Sequence, residues 1–483
     1  MPQLSPPPSQ LVDLAPSRKT RGFFLSGTGL AFFQRVAQRR PASHDGAPPG
    51  FGTGSCAEQL RNPSHAAATL AALAALAVAG VASAQSSVTL FGVMDASVSS
   101  VSNKSELATN AAVLSANPFA YAYLPQSATI SKMGLNNSAN SSSRLGFRGV
   151  EDLGGGLSAS FWLESGLKND QGFGAATGGG LSFNRRSTVS LSGPFGEVRL
   201  GRDYKPTFWN LTVFDPFGTN GAGSALAQRA ASAFESDNVR ASNSIGYFLP
   251  SNLGGFYGQA QYAFHEQLKY SDPLQAAGND NSRGGRYWGG RFGYADGPVD
   301  IALSYGEQNT LSSYSLGGNA LVKSLNLGGT YDFGVAKLFA QYQNTKQQVD
   351  YSGNGPTFNP ATKLDGYLLG VVVPVGAGQI KASYGNVKIK VAQNPLATLN
   401  NPFFTYSAPK ADQLALGYVH NLSKRTALYA TVAYIKNKNG ANFSTGSSDI
   451  TAPTVTSYTT TYGAGTYVPK SSVGYDFGIR HSF

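Results

Sequence analysis

Residues Ser471–Phe483 read SSVGYDFGIRHSF, in which Val473, Tyr475, Phe477, Ile479 and Phe483 alternate with Gly474, Asp476, Gly478, Arg480 and Ser482. Successive side chains of a β-strand point to opposite faces, so the stretch has one apolar face and one polar or small one. A tilted strand of roughly 9–11 residues is enough to cross a hydrocarbon layer. The chain end therefore predicts a membrane-barrel strand, on condition that the same pattern recurs upstream.

It does recur. Alternating segments lie near 87–98, 142–150, 156–165, 183–192, 196–203, 241–249, 255–264, 286–294, 299–307, 322–331, 335–345, 366–374, 378–386, 412–420, 426–437 and 472–483, sixteen in all. Their connections alternate strictly in length. The short ones include EDLGGG, GPFG, PSNLGG, ADGP, DFGV, PVGAG and NLSKR, rich in the residues that tight turns require. The long ones are 99–141, 166–182, 204–240, 265–285, 308–321, 346–365, 387–411 and 438–471. Short turns at one rim and long loops at the other describe an all-β, up-and-down, antiparallel transmembrane barrel with periplasmic turns and extracellular loops. A β-propeller or β-helix is the competing architecture, and the repeated blade motif that a propeller needs is not seen.

Composition agrees with sheets and turns: of 483 residues, 58 are Gly and 24 are Tyr, and only 13% are charged. The one long apolar run, Ala66–Ser83, ends in Ala82-Ser83-Ala84 and reads as the core of a secretory signal cleaved after Ala84. An alanine-rich core helix is the competing reading; the strand-like SSVTLFGVMDASV that follows at once speaks against it. Residues 1–65, rich in Pro, Gly and Arg, form an unstructured leader or reflect a misplaced gene start, leaving 85–483 as the barrel domain. The net charge is +11, and the sole cysteine, Cys56, precedes the cleavage point, so the exported part has no disulfide chemistry.

An unpaired backbone amide or carbonyl in lipid is expensive, so strand sixteen must pair with strand one. A barrel of this size leaves a water-filled lumen. Parity then assigns faces: Phe256, Tyr262 and Phe264 toward lipid against Tyr257, Gln259 and Gln261 toward water, and Val299, Ile301, Leu303 and Tyr305 against Asp300 and Ser304. Arg144 and Arg148 share the wet face opposite Leu145 and Phe147. Arg185 and Arg186 cannot both face water in a regular strand, which calls for a bulge or a later strand start.

Several stretches together, SSVTLFGVMDA, SSSRLGFRGVEDLGGGLSASFWLESG, FNRRSTVSLSGPFGEVRLGRDYKP, FDPFG and the closing GIRHSF, resemble the general porins of Gram-negative outer membranes, in their neisserial and β-proteobacterial branch. The resemblance spans residues 85–483 and implies a 16-stranded barrel in outer-membrane lipid, a homotrimer, and diffusion of small hydrophilic solutes and ions. It implies that the terminal aromatic, Phe483, is read by the outer-membrane assembly machinery. It also implies that the third long loop, 204–240, folds into the lumen, with Asp215, Glu235 and Asp237 on it, opposite an arginine ladder matched by Arg144, Arg185 and Arg240. Such a ladder would enrich small anions. The first loop, 99–141, is longer than the family pattern, and the Gly/Ala-rich GTNGAGSALAQ departs from it within loop three.

Other chemistries find little support. After Gln85 the only histidines are His265, His420 and His481, with no serine and carboxylate converging on them, so no catalytic constellation is expected. Gly218, Gly221 and Gly223 lack the lysine and Ser/Thr of a phosphate-cradling loop. No metal-ligand cluster, cofactor motif or nucleic-acid-binding basic run is present. The readings left are a general diffusion porin with weak anion preference, a substrate-specific channel for anionic nutrients, and an adhesin or phage receptor on a barrel scaffold.

Overall fold

A sheet in lipid survives only without edges, and the chain removes its edges by joining its two ends. In the computed structural model, strand Ser87–Leu107 pairs antiparallel with strand Gly463–Ser482, from Val93 opposite Ser482 to Leu107 opposite Tyr467. The structure describes residues 87–108, 123–235, 237–266, 284–313, 318–351, 361–391, 407–446, 449–460 and 463–483. The expected leader 1–65 and signal segment 66–84 lie outside the described residues.

The other edge of Ser87–Leu107 carries two consecutive partners, Ser127–Asn137 along its outer half and Arg144–Gly154 along its inner half. These form one stave interrupted at 138–143, where Ser138 has φ 67°. Asp95 pins the interruption by accepting the backbone N–H groups of Asn140 (3.0 Å) and Ser141 (2.6 Å). With that stave counted once, and the short loop strands Phe173–Gly174 and Ser457–Thr460 left out, the nineteen paired strands make a closed sixteen-stave antiparallel barrel.

Each expected segment is a strand. The correction concerns length at the long-loop rim: residues 99–107 and 127–137, expected in the first loop, continue the barrel wall, and the last strand starts at Gly463 rather than near 472. There the inner face is buried under loop residues, with Val101 against Ile450 and Leu107 against Leu124, and mixes these apolar side chains with Ser99, Asn103 and Ser105, so hydropathy no longer alternates although backbone pairing continues. Within the hydrocarbon the face assignment holds. Leu303, Leu369, Leu414 and Phe477 are exposed on the outside, while Ser304, Gln413 and Asp476 are buried toward the lumen.

The loop after strand Gly196–Tyr204 folds inward and carries two helices, α1 (Pro206–Val213) and α2 (Leu226–Ala231). Pro206 opens α1, where a missing N–H costs nothing. Asn210 ties α1 to the wall, donating to the Asn326 side chain (2.7 Å) and the Ala302 carbonyl (3.1 Å) while accepting from Arg291 Nε (2.7 Å). Helix α2 docks through Leu226, Ala227 and Ala230 on inward-facing Val322, Leu364, Val387 and Ile435. Between the helices, Phe214 and Pro216 lie against Gly328 and Gly370, where a Cβ would come within 2.1 and 2.4 Å of them. The wall keeps glycine there because the loop needs the space.

Candidate constriction site

Three arginines from three staves meet around Tyr204. The Tyr204 hydroxyl accepts from Arg185 (2.7 Å) and Arg240 (3.0 Å), and the Arg240 guanidinium also lies over the Tyr204 ring at 4.5 Å. Arg144 joins them through Glu164, which accepts from Arg185 Nε at 2.5 Å and lies 3.9 Å from Arg144 Nε. The strand begins at Arg186, so Arg185 sits in the irregular segment before it and both side chains reach the lumen. That later start resolves the parity conflict.

Arg148 and Arg186 lie nearer the short-turn rim and flank Trp162, at 5.4 and 4.5 Å from its ring, with Arg148 also 5.5 Å from the Phe91 ring. Arg199, not singled out in the sequence, forms ion pairs with Asp203 (2.5 Å) and Glu197 (2.9 Å) and stacks on Phe248 at 4.0 Å. This vestibule encloses about 550 Å³.

The three loop carboxylates expected opposite the ladder are placed differently from one another. Asp215 is buried and accepts the backbone N–H groups of Phe217, Thr219 and Ala225, each at 2.9 Å. Burial pushes its carboxyl above the ordinary range, against the pull of those three donors. Glu235 is also buried, as the partner of Lys205, and burial raises it in the same direction. Lys205 Nζ donates as well to the Asp237 carbonyl (2.5 Å) and to Gln308 (2.5 Å), so the pair clips the loop ends together. Asp237 alone is half-exposed, 3.3 Å from Arg202. Asp215 and Glu235 therefore hold the loop's shape and do not form a facing acidic rim.

The gap between loop and ladder encloses about 410 Å³ and is lined by Arg144, Arg185 and Arg240 on one side and by Trp209, Thr219 and Asn220 on the other. Its loop side is neutral. The carboxylates that balance the guanidinium groups, Glu164 and Asp203, stand in the same wall as the arginines. Sequence reasoning missed them, although parity was a usable signal: Trp162 and Glu164 share the wet face of their strand. The inward apolar residues that seat α2 were missed too; LDGYLLG, with Leu368 and Leu369 on opposite faces, carried that signal. Gly218 and Gly221 have φ 59° and 62°, a loop geometry and not a phosphate cradle. Among the described residues there is no cluster of three potential metal ligands.

A closed barrel with a dry exterior, a loop folded into its bore and a guanidinium-lined gap defines a membrane-spanning channel protein. The sequence profile of the Gram-negative porin family matches residues 68–440, and the chain belongs to that family. It is 39% identical over 402 residues to outer membrane porin protein 32 of Delftia acidovorans, covering 82% of this chain and 94% of the relative. A Bordetella pertussis outer membrane porin is 32% identical over 372 residues, covering 73% and 89%. Among solved structures, an anion-selective porin from Comamonas acidovorans superposes with a TM-score of 0.61 at 37% identity, covering 83% of this chain and all of that one. The protein is thus an outer-membrane porin that passes small hydrophilic solutes, and its relatives are channels.

Proposed function

We propose that the pore prefers anions weakly and that Arg144, Arg185 and Arg240 set this preference, with Arg148 and Arg186 extending the path toward the short-turn rim. One observation carries the reading: the arginine side of the 410 Å³ gap faces a neutral loop surface. Low-dielectric walls focus such a field at the narrowest point. Guanidinium stays charged at every working pH, and its planar fork passes a carboxylate or phosphate from one site to the next. Glu164 and Asp203 beside the arginines offset part of the charge, which keeps binding weak enough for release. The likeness to a porin described as anion-selective supports the same sign.

The test is the reversal potential of single channels under a KCl gradient. The wild type should favour chloride, and replacing Arg144, Arg185 and Arg240 together by Gln should move preference toward potassium. An unmoved potential would overturn the assignment. As further parts of this reading, three copies assemble in the membrane and Phe483 serves the assembly machinery. Cross-linking of the membrane-embedded protein, and the folded yield of chains lacking Phe483, check these.

A further inference from the structure

The wall of a water-filled bore gains nothing by carrying rings, because aromatic surface turned to water forgoes the free energy that burial would release. Most of this wall follows that rule: Ser190, Ser244, Gln261, Ser304, Gln341 and Gln413 turn inward. Three aromatic residues depart from it. Phe91 shares the inward face with Val93 and Asp95, Trp162 with Glu164, and Phe248 with Ser244 and Gly246; all three are half-buried and stand outside the apolar cluster that seats α2. Trp209 of α1 joins them from the loop side and is 39% exposed.

Each wall ring has a guanidinium set against it. The Phe91 and Trp162 rings touch, with centroids 4.8 Å apart and planes at 58°, and the Arg148 guanidinium lies 5.5 Å from the first and 5.4 Å from the second. Arg186 lies 4.5 Å from Trp162, and Arg199 4.0 Å from Phe248. The wall makes room for the pair of rings: a Cβ on Gly146 would come within 2.3 Å of Phe91. Arg186 and Arg199 are both engaged by Asp203, and Arg199 also by Glu197. Arg148 is exposed, and no ion pair among the described residues involves it. Its fork is open to a ligand.

The rings continue through the narrowest point. Arg144, Tyr204 and Trp209 line both the 410 Å³ gap and the 550 Å³ vestibule, so the two cavities form one route. Tyr204 stacks with Phe208 (5.8 Å, 13°) and lies 5.5 Å from Trp209. Both volumes fall within the roughly 300–1,000 Å³ that holds small organic ligands. Chloride or an aliphatic acid engages only the guanidinium groups. A planar ring that bears a carboxylate engages both features: the carboxylate meets the guanidinium fork, and the ring packs against the aromatic side chains and the guanidinium planes.

We propose that this route is a track for single-ring aromatic carboxylates, in which Arg148 takes the carboxylate, Phe91 and Trp162 take the ring, and Trp209 passes the ring between gap and vestibule. The proposal rests on the anion preference argued above and adds what charge alone does not supply, discrimination among anions of equal charge. Several weak stations in series let the solute enter without being trapped.

The test is block of chloride current through single channels of the full barrel by benzoate and by cyclohexanecarboxylate, two acids of one charge and similar size that differ in the flat ring. Benzoate should give saturating block, half-complete at a concentration about fivefold or more below that for cyclohexanecarboxylate. Phe91→Leu and Trp162→Leu, made separately, should each bring the two concentrations together, whereas Arg148→Gln should weaken block by both acids. Only inserted, open channels give a trace, so a variant of low yield is still readable, and one ring variant suffices if the other does not fold. Equal block by the two acids, a wild-type ratio retained in the ring variants, or block untouched by Arg148→Gln would each overturn the proposal. The reversal potential of the same channels under a KCl gradient reports the underlying anion preference on its own: equal block in a channel that still prefers chloride removes the track and leaves that preference standing.

Discussion

The ring of Phe483 lies on Gly92, and the two residues exchange backbone hydrogen bonds of 3.0 and 3.1 Å, so the last residue of the chain closes the seam with the first strand. A Cβ on Gly92 would come within 2.2 Å of that ring and 2.8 Å of the Arg144 carbonyl. Both sit on the lipid side, where the ring covers a stretch of backbone that the glycine leaves bare.

Gly92→Val should therefore destabilise the barrel by roughly 1–3 kcal/mol, the usual cost of overpacking. In the Phe483→Ala background the same change should cost less, because the ring is gone. A double-mutant cycle on urea unfolding in lipid vesicles measures the coupling. Additive effects would show that ring and glycine act independently.

Glu164 gives a change of opposite sign to the arginine replacements. It accepts from Arg185 and from Trp162 Nε1 (3.1 Å) and lies beside Arg144. Glu164→Gln keeps the shape and removes the negative charge, so anion preference should rise, with a permeability ratio changed on the order of twofold. Arg185→Gln should lower it. Reversal potentials in the same KCl gradient read both. Movement of both variants in one direction would mean that loop displacement, and not wall charge, governs selectivity.

Much of this architecture was legible because a membrane imposes a simple rule: Phe477 and Leu303 had to face outward, and strict alternation named them. The arginine ladder was visible through resemblance, with parity supporting Arg144 and conflicting at Arg185, since Arg144, Arg185 and Arg240 are far apart in sequence and only closure brings them around Tyr204. What stayed hidden obeys no alternation. Strand residues 99–107 and 127–137 bury an inner face that mixes Ser99, Asn103 and Ser105 with Val101 and Leu107 beneath loop residues, so hydropathy carries no regular signal. The roles of Asp215 and Glu235 depend on which backbone groups a folded loop brings to them, and their acidic identity alone suggested a rim they do not form.

Asp215 yields a prediction about pH. Burial raises its carboxyl and that of Glu235 above their ordinary values, so the folded loop takes up a proton more readily than the unfolded chain does. Their contribution is then fully present below the ordinary carboxylate value and is lost as pH rises through the raised one. Lys381 and Lys205, the cations that face them, pull the other way without reversing either shift. Amide exchange at Phe217, Thr219 and Ala225, corrected for intrinsic rates, should show protection at about pH 5 equal to or above that at about pH 8. Asp215→Asn should reduce protection at Thr219 and Ala225, which share one carboxylate oxygen, since an amide N–H₂ in that place donates and accepts from neither.

The docking of α2 can be locked covalently. A Cβ on Gly385 would stand 3.7 Å from the Leu226 Cβ, close to the mean separation in disulfides of about 3.8 Å. Gly385 has no positive φ, so a side chain is tolerated there. Because Cys56 precedes the barrel domain, chains refolded from residue 85 onward contain no competing thiol. Leu226→Cys/Gly385→Cys should form the bridge on oxidation and hold the loop against the wall. Leu226→Ala alone removes a buried side chain, a loss of about 2–5 kcal/mol, and should let the loop leave the wall, giving larger and noisier single-channel currents. The oxidised double-cysteine channel should be as quiet as the wild type and the reduced one noisier. Failure of the thiols to join under mild oxidant would place α2 elsewhere, and noise that persists in the bridged protein would show that the fluctuations arise outside this loop.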